Sequence, residues 1–293
     1  MSSTAYTGTS GRVFSAHARE LHASVRDSAE LLAQRWSQTF SSVLIAGSGI
    51  HASLGSWTKV DSLPLASLTE FGESSVPGHQ SALSWYRAGS RNVLAFEGRR
   101  HVYEGVLLQD VVKPVVLANL LGIEHCILTN AAGSLNPLYE AGDVMLAHDL
   151  LNSSARAVVV RGAERSRMID GAWLRRVRSA IENSAPHLSA CVHSGVYVSV
   201  AGPSYETRAE VRMYRAMADV IGMSTVHEAQ CAVGLGMKVA AVSVVSNTLE
   251  ESPSKKLTHE DVLRVAANSA DRLQQVLQLV VDTVEHIVEY KEE

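Results

Sequence analysis

The chain has 293 residues, 46% hydrophobic and 19% charged, which suffices for a buried core and matches ordinary globular composition. Its net charge is −4 and its basic residues form only short clusters such as Arg99-Arg100 and Lys255-Lys256, so no nucleic-acid partner is expected. No apolar run reaches the roughly 20 residues of a bilayer span, and MSSTAYTGTSGRVFSAHARE has no basic head followed by an apolar stretch, so neither a membrane nor a secretory route is expected.

In chain order, residues 1 to 14 read as a flexible tail and 15 to 293 as one domain. Residues 15 to 37 place Leu21, Val25, Leu31, Leu32 and Trp36 near helical spacing, predicting an amphipathic helix that leads into a strand at 41 to 47. Further strands are predicted from apolar runs at 92–98, 126–133, 143–151, 195–202, 218–224 and 238–247. Helical patterns at 109–121, 207–217 and 225–235 fall between them, and 259–290 reads as one long closing helix. Segment 56–75 reads as loop. Strands alternating with helices, with no Pro/Gly/Ser linker, predict a single α/β domain with a mixed, largely parallel sheet flanked by helices and its site at strand carboxyl ends. Cys126, Cys191 and Cys231 are far apart among apolar neighbours, which fits buried thiols in the cytoplasm better than disulfides or a metal site.

The chemistry-bearing signals are individually modest. Gly47-Ser48-Gly49 ends the first strand, and its glycines let backbone N–H groups approach an anion. The same stretch, Gly47-Ser48-Gly49-Ile50-His51-Ala52, also fits a dinucleotide fingerprint, but the loop-like 56–75 offers no second strand ending on an acidic residue. Val76-Pro77-Gly78-His79 is a turn ending in a histidine. In Gly98-Arg99-Arg100-His101-Val102-Tyr103-Glu104-Gly105, an extended backbone would send Arg99, His101 and Tyr103 to one side, where a phosphate finds charge-assisted donors; a solvated polar strand is the bland alternative.

Thr129-Asn130-Ala131-Ala132-Gly133 reads as a small-residue loop that admits a flat ligand, or as a plain tight turn. Ala201-Gly202-Pro203-Ser204-Tyr205-Glu206-Thr207 opens a helix with Ser204 as N-cap, Glu206 in the first turn either complementing the dipole or accepting N–H protons from a heterocycle. Thr225 and Glu228 have capping-box spacing, which leaves Ser224 to serve an anion at a helix N-terminus. Asn247 ends a strand with both a donor and an acceptor, and His259 starts the closing helix.

Taken in order, Gly-Ser-Gly, Val-Pro-Gly-His, Gly-Arg-x-His-x-Tyr-Glu-Gly, Thr-Asn-Ala-Ala-Gly, Ala-Gly-Pro-x-Tyr-Glu-Thr, Gly-Met-Ser-Thr-Val and Ser-Asn closely resemble the trimeric purine nucleoside phosphorylase family, which includes methylthioadenosine phosphorylases. The resemblance runs from about Val43 to the end. It implies a distorted mixed β-barrel with flanking helices, a homotrimer, and phosphorolysis of 6-oxopurine nucleosides to free base and ribose 1-phosphate in purine salvage. Phosphate would be a co-substrate, with no cofactor and no metal. The implied phosphate site is Ser48, His79, Arg99, His101, Ala131 and Ser224. The implied purine site is Ala132, Gly133, Tyr205, Glu206, Met223 and Asn247, and the ribose site is Tyr103, Met223 and His259. His101, Glu206 and Asn247 would be catalytic. A methylthioadenosine phosphorylase-like enzyme, a hydrolytic nucleosidase and a non-catalytic purine-binding protein are the alternatives.

Three departures stand out. Residues 153–173 replace the family's Gly-, Asn- and Pro-rich loop, with no equivalent of its lid aromatic; Thr248 follows Asn247 where some members have lysine; and His51 stands where a small residue is usual.

Overall fold

The computed structural model describes residues 16–72, 80–158, 168–249 and 258–284. Four strands form an extension of the sheet: β1 (Ser42–Ile45), β2 (Thr58–Pro64), β3 (Ala82–Ala88) and β4 (Arg91–Glu97). The other five are β5 (His125–Ser134), β6 (Val144–Asn152), β7 (Val192–Ser199), β8 (Val220–Gly222) and β9 (Lys238–Thr248). The order β2-β3-β4-β1-β5-β8-β7-β6-β9, with β9 returning to pair with β5, closes the last five strands into a distorted barrel. Strands β4, β1, β5 and β9 run parallel, whereas β5–β8 and β6–β9 are antiparallel. The predicted mixed, largely parallel α/β sheet is therefore the observed one, in barrel form.

The helices are α1 (Ala16–Ala23), α2 (Arg26–Arg35), α3 (Leu108–Leu120), α4 (Gly171–Ser184), α5 (Arg208–Arg215), α6 (Val226–Gly234), α7 (His259–Asn268) and α8 (Ala270–Asp282). Alternation along β1 explains their two layers. Val43 and Ile45 pack with α1, α2, α3 and α6 through Leu21, Leu32, Val112 and Ala229, while Leu44 packs with α4 and α8 through Trp173, Val177, Leu273 and Val276. Each such Val, Leu or Ile side chain contributes about 1.5–3 kcal/mol on full burial.

The structure corrects several expectations. The predicted first helix is two, α1 and α2, with Ser24 and Val25 between them. Its counterpart at the chain's end is also two, α7 and α8 breaking at Ser269, and residues beyond 284 lie outside the described set. Segment 56–75 contains β2, an edge strand whose Lys59, Asp61 and Pro64 suit an exposed edge better than the apolar alternation that marks a half-buried strand. Thr129 to Ser134 continues β5, where a loop was expected, and pairs there with a bulged β9 in which Ser246 is the extra residue between the partners of Ala132 and Gly133. Cys126 and Cys231 are buried, but Cys191 is only half-buried; all three are free thiols. Among the described residues no helix is long and apolar enough to cross a membrane. The expected tail at 1–14 lies outside the described residues.

Candidate active site

One cavity opens at the carboxyl ends of β1, β5 and β9 and is completed by the loops after β4, β7 and β8. Gly47 makes this possible. A Cβ there would sit 2.8 Å from the Thr129 carbonyl oxygen and 2.9 Å from the Asn130 Cα, so only glycine lets the β1 exit lie against β5. Its N–H donates to Thr129 Oγ1, and the chain turns at once into a short 3-10 helix, Ile50–Leu54. Ser48 is thereby delivered to the cavity wall beside Ala131.

The loop after β4 brings in His101 and Tyr103, whose rings stack with centroids 4.7 Å apart. Glu104 holds this pair. Its Oε1 accepts the His101 backbone N–H at 2.6 Å and lies 3.2 Å from His101 Nδ1. Burial pushes the Tyr103 hydroxyl up to about 12, so it stays protonated.

Arg99 does not line the cavity; it lies behind it. The expected extended segment that would send Arg99, His101 and Tyr103 to one side is instead a loop leading into a 3-10 turn at Val102–Glu104. The Arg99 Nη2 donates to the carbonyls of Ile45 at 2.7 Å and Thr129 at 2.6 Å. Its Nη1 donates to Ser224 Oγ at 3.1 Å and Thr225 Oγ1 at 3.2 Å, and Glu228 Oε1 lies 3.4 Å away with both side chains 1% exposed. Arg99 thus reaches the cavity wall through Ser224.

The expected Thr225–Glu228 capping box does not form. Thr225 has φ +76, a strained setting for a β-branched residue, and its side chain makes no cap bond. Its hydroxyl instead accepts from Arg99 and from Asn130 Nδ2 at 2.9 Å. This exchange seats Ser224 at the entry to α6. Tyr197 holds the backbone of Ser224 from the far side.

The loop 201–206 covers another wall. Gly202, with φ +67, packs where a Cβ would meet the Met223 sulfur at 2.5 Å and Tyr103 Cδ1 at 3.0 Å. Thr207, not Ser204, caps α5, with Glu210 completing the box. Glu206 is therefore free of helix duty and lines the cavity. Burial raises its pKa above the usual carboxylate range, and the negative charge of Glu210 adds to this. Tyr205 sits at the lip, 45% exposed.

From β9, Asn247 enters the cavity with its orientation set by Ser246, whose hydroxyl donates to Asn247 Oδ1 at 2.7 Å. The Nδ2 lies beside Gly133, 3.5 Å from where a Cβ there would stand. His259, the first residue of α7, and Met223 complete the wall.

The structure thus gathers Ser48, His101, Tyr103, Ala131, Gly133 and Tyr205 in one cavity with Glu206, Met223, Ser224, Asn247 and His259. Ala132 is not on the wall: it faces the core, 2% exposed, because strand alternation turns it away from Ala131 and Gly133. His79 lies outside the described residues. Sequence reasoning missed Asn130, Ser246, Leu249 and Val262 as wall residues and Glu228 as the partner of Arg99. Asn130 and Ser246 stand inside the Thr-Asn-Ala-Ala-Gly and Ser-Asn motifs, and that membership is the only local signal they carried. Among the described residues, no group of three or more His, Cys, Asp or Glu could hold a metal ion.

Residues 58–282 match the phosphorylase superfamily. The chain is 39% identical over 242 residues to a purine nucleoside phosphorylase of Mycobacterium tuberculosis, covering 81% of this chain and 87% of that protein. It is 31% identical over 272 residues to the purine nucleoside phosphorylase of Bos taurus, covering 88% and 94% respectively. The fold superposes on Schistosoma mansoni purine nucleoside phosphorylase in complex with adenosine, with a TM-score of 0.80 and 28% identity over 90% of this chain and 98% of that one. A structure of the same protein with inosine gives a TM-score of 0.79 at 28% identity, over 90% and 97%.

Proposed function

The chain belongs to the phosphorylase superfamily and is a purine-nucleoside pentosyltransferase within it, and from that premise we propose that it cleaves 6-oxopurine nucleosides, inosine, guanosine and their deoxy forms, in purine salvage. The observation that carries the base assignment is the paired setting of Glu206 and Asn247 in one cavity. The Ser246 hydroxyl lies 2.7 Å from Asn247 Oδ1 and 3.1 Å from the Ala132 carbonyl; with its one proton given to Oδ1, the shorter contact, the amide turns its Nδ2 donor to the ligand. A donor matches a carbonyl at purine C6, and a carboxylate matches the N1–H that only a 6-oxopurine carries. The S. mansoni structures hold adenosine in one case and inosine in another, so selectivity in this chain is argued from its own residues.

In the proposed reaction, the bond from the anomeric carbon to N9 breaks and its electrons pass to the purine. Asn247, donating to the oxygen at C6, stabilises the negative charge that develops there, Glu206 holds the base through its N1–H, and the departing purine anion takes a proton from water to leave as the free base. Phosphate, held by Ser48, His101, Ser224 and the backbone at Ala131 with the Arg99 charge behind them, stabilises the cationic sugar and then bonds to the anomeric carbon with inversion. His79 is included in the phosphate site by family resemblance. Tyr103, Met223 and His259 would face the ribose, and Tyr205 would cover the base. Neither a metal nor a cofactor enters this scheme.

Incubating the protein with inosine, with and without phosphate, tests the reading. Ribose 1-phosphate formed only with phosphate is expected; equal cleavage in phosphate-free buffer would indicate a hydrolase, and none under either condition a binding protein. Faster turnover of methylthioadenosine than of inosine would overturn the base assignment. We also propose a homotrimer, as the family resemblance implies, placed in the cytoplasm on the reading of its cysteines as free thiols; a monomer in light scattering would contradict the assembly.

A further inference from the structure

Building on the phosphorolysis proposed above, we infer that Glu228 is an internal counter-anion that holds down the affinity of the anion site from outside the cavity. Placement of Arg99 does not depend on it. The two carbonyl bonds from Nη2, to Ile45 and Thr129, already fix the guanidinium to the backbone at β1 and β5. What Glu228 supplies is charge. Its Oε1 lies 3.4 Å from Arg99 Nη1 with both side chains 1% exposed, and neither carboxylate oxygen makes a hydrogen bond among the described residues. A buried carboxylate in that state persists because an adjacent cation offsets part of its desolvation.

Arg99 Nη1 also donates to Ser224 Oγ, on the cavity wall. An anion arriving at Ser224 therefore meets a guanidinium whose charge Glu228 already balances. In this weakly screened interior the carboxylate repels the incoming anion as the guanidinium attracts it. Phosphate and the phosphorylated sugar product use the same pocket, and the product must leave it. A carboxylate that tempers anion binding serves that exit.

The two possible roles of Glu228 predict opposite signs. If it merely braced Arg99, its loss would loosen the guanidinium and weaken anion binding. If it tempers the charge, its loss strengthens anion binding. Glu228→Gln keeps the shape and removes the charge. We expect the KM for phosphate and the inhibition constant of ribose 1-phosphate each to fall about fivefold or more, the scale of one partly screened charge interaction, with the KM for inosine unchanged. Without phosphate the variant should melt below the wild type, and phosphate should raise its Tm more than it raises that of the wild type.

An unchanged or raised phosphate KM in folded Glu228→Gln overturns the inference. Should that variant not fold, Glu228→Asp keeps the charge and withdraws it from Arg99, so the phosphate KM should fall by a smaller factor; no fall there is equally fatal. Wild-type protein assayed with and without phosphate separates the two levels of failure. Phosphate-independent cleavage by the wild type removes the phosphorolysis reading itself, whereas phosphate-dependent cleavage with no tightening in the variants removes only the role of Glu228.

Discussion

The Tyr197 hydroxyl grips both polar groups of the Ser224 backbone, accepting its N–H at 3.3 Å and donating to its carbonyl at 3.1 Å. Tyr197 is fully buried on β7, and burial pushes its hydroxyl up to about 12. It is therefore a protonated, fixed brace for a residue of the anion site. Tyr197→Phe should cost about 1–3 kcal/mol by stranding buried polar groups and should raise the KM for phosphate more than that for inosine. Denaturant unfolding and two-substrate kinetics measure the two effects; equal rises in both KM values would reduce Tyr197 to a structural residue.

Glu206 leads to a pH prediction of definite sign. Its folded pKa lies above its unfolded value because burial disfavours the charge, so between the two values the folded state binds more protons than the unfolded one. Stability therefore falls as pH rises from the ordinary glutamate value to the raised one, and the loss persists above that. Glu206→Gln should be more stable than the wild type at neutral pH, with the advantage fading as pH falls from the raised value to the ordinary glutamate value and gone below it. It should also lose most activity on inosine, because an amide is a poorer acceptor than a carboxylate for N1–H. A variant no more stable at neutral pH would show that burial does not penalise this carboxylate.

At position 247 the test concerns the base. Asn247→Asp replaces the Nδ2 donor with an acceptor, leaving a 6-carbonyl unpaired at a cost of about 1–3 kcal/mol. The kcat/KM for inosine should fall and the adenosine-to-inosine ratio should rise. If the ratio does not move, Asn247 does not read the 6-position.

Thr258 caps α7, its hydroxyl accepting from the Asp261 N–H at 3.2 Å while Asp261 answers the Thr258 N–H at 3.3 Å. The next residue is His259, on the cavity wall. Thr258→Ala should cost about 0.5–2 kcal/mol and raise the KM for nucleoside while leaving that for phosphate near the wild-type value. Thermal melts and the two KM values check it; a larger rise for phosphate would place His259 at the wrong end of the site.

Legibility followed the range of the physics. Strands β4, β6 and β9 could be read because apolar runs bounded by turn residues record burial locally. Strand β2 could not, since an edge strand carries polar residues on faces that a central strand would bury. The cap of α5 was misplaced for a related reason, whereas Thr225 does stand at the N-cap position of α6 but makes no side-chain cap bond. Ser204, Thr207 and Thr225 are all competent N-caps by type, and the choice among them depends on where the backbone enters the helix.

The sequence by itself determined which residue types stand next to which backbone turns, and those local motifs sufficed to list most of the cavity wall and the family. Only the tertiary structure decided how those groups serve one another. Arg99 meets Ser224 across 125 positions and Glu228 across a buried interface, and no local pattern encodes either contact. The positive φ of Thr225 is likewise held by donors from β5 and from the loop after β4. Charge balance, strain and the facing of Ala132 into the core all depend on what packs opposite a residue, and that is fixed when the sheet closes on its helices.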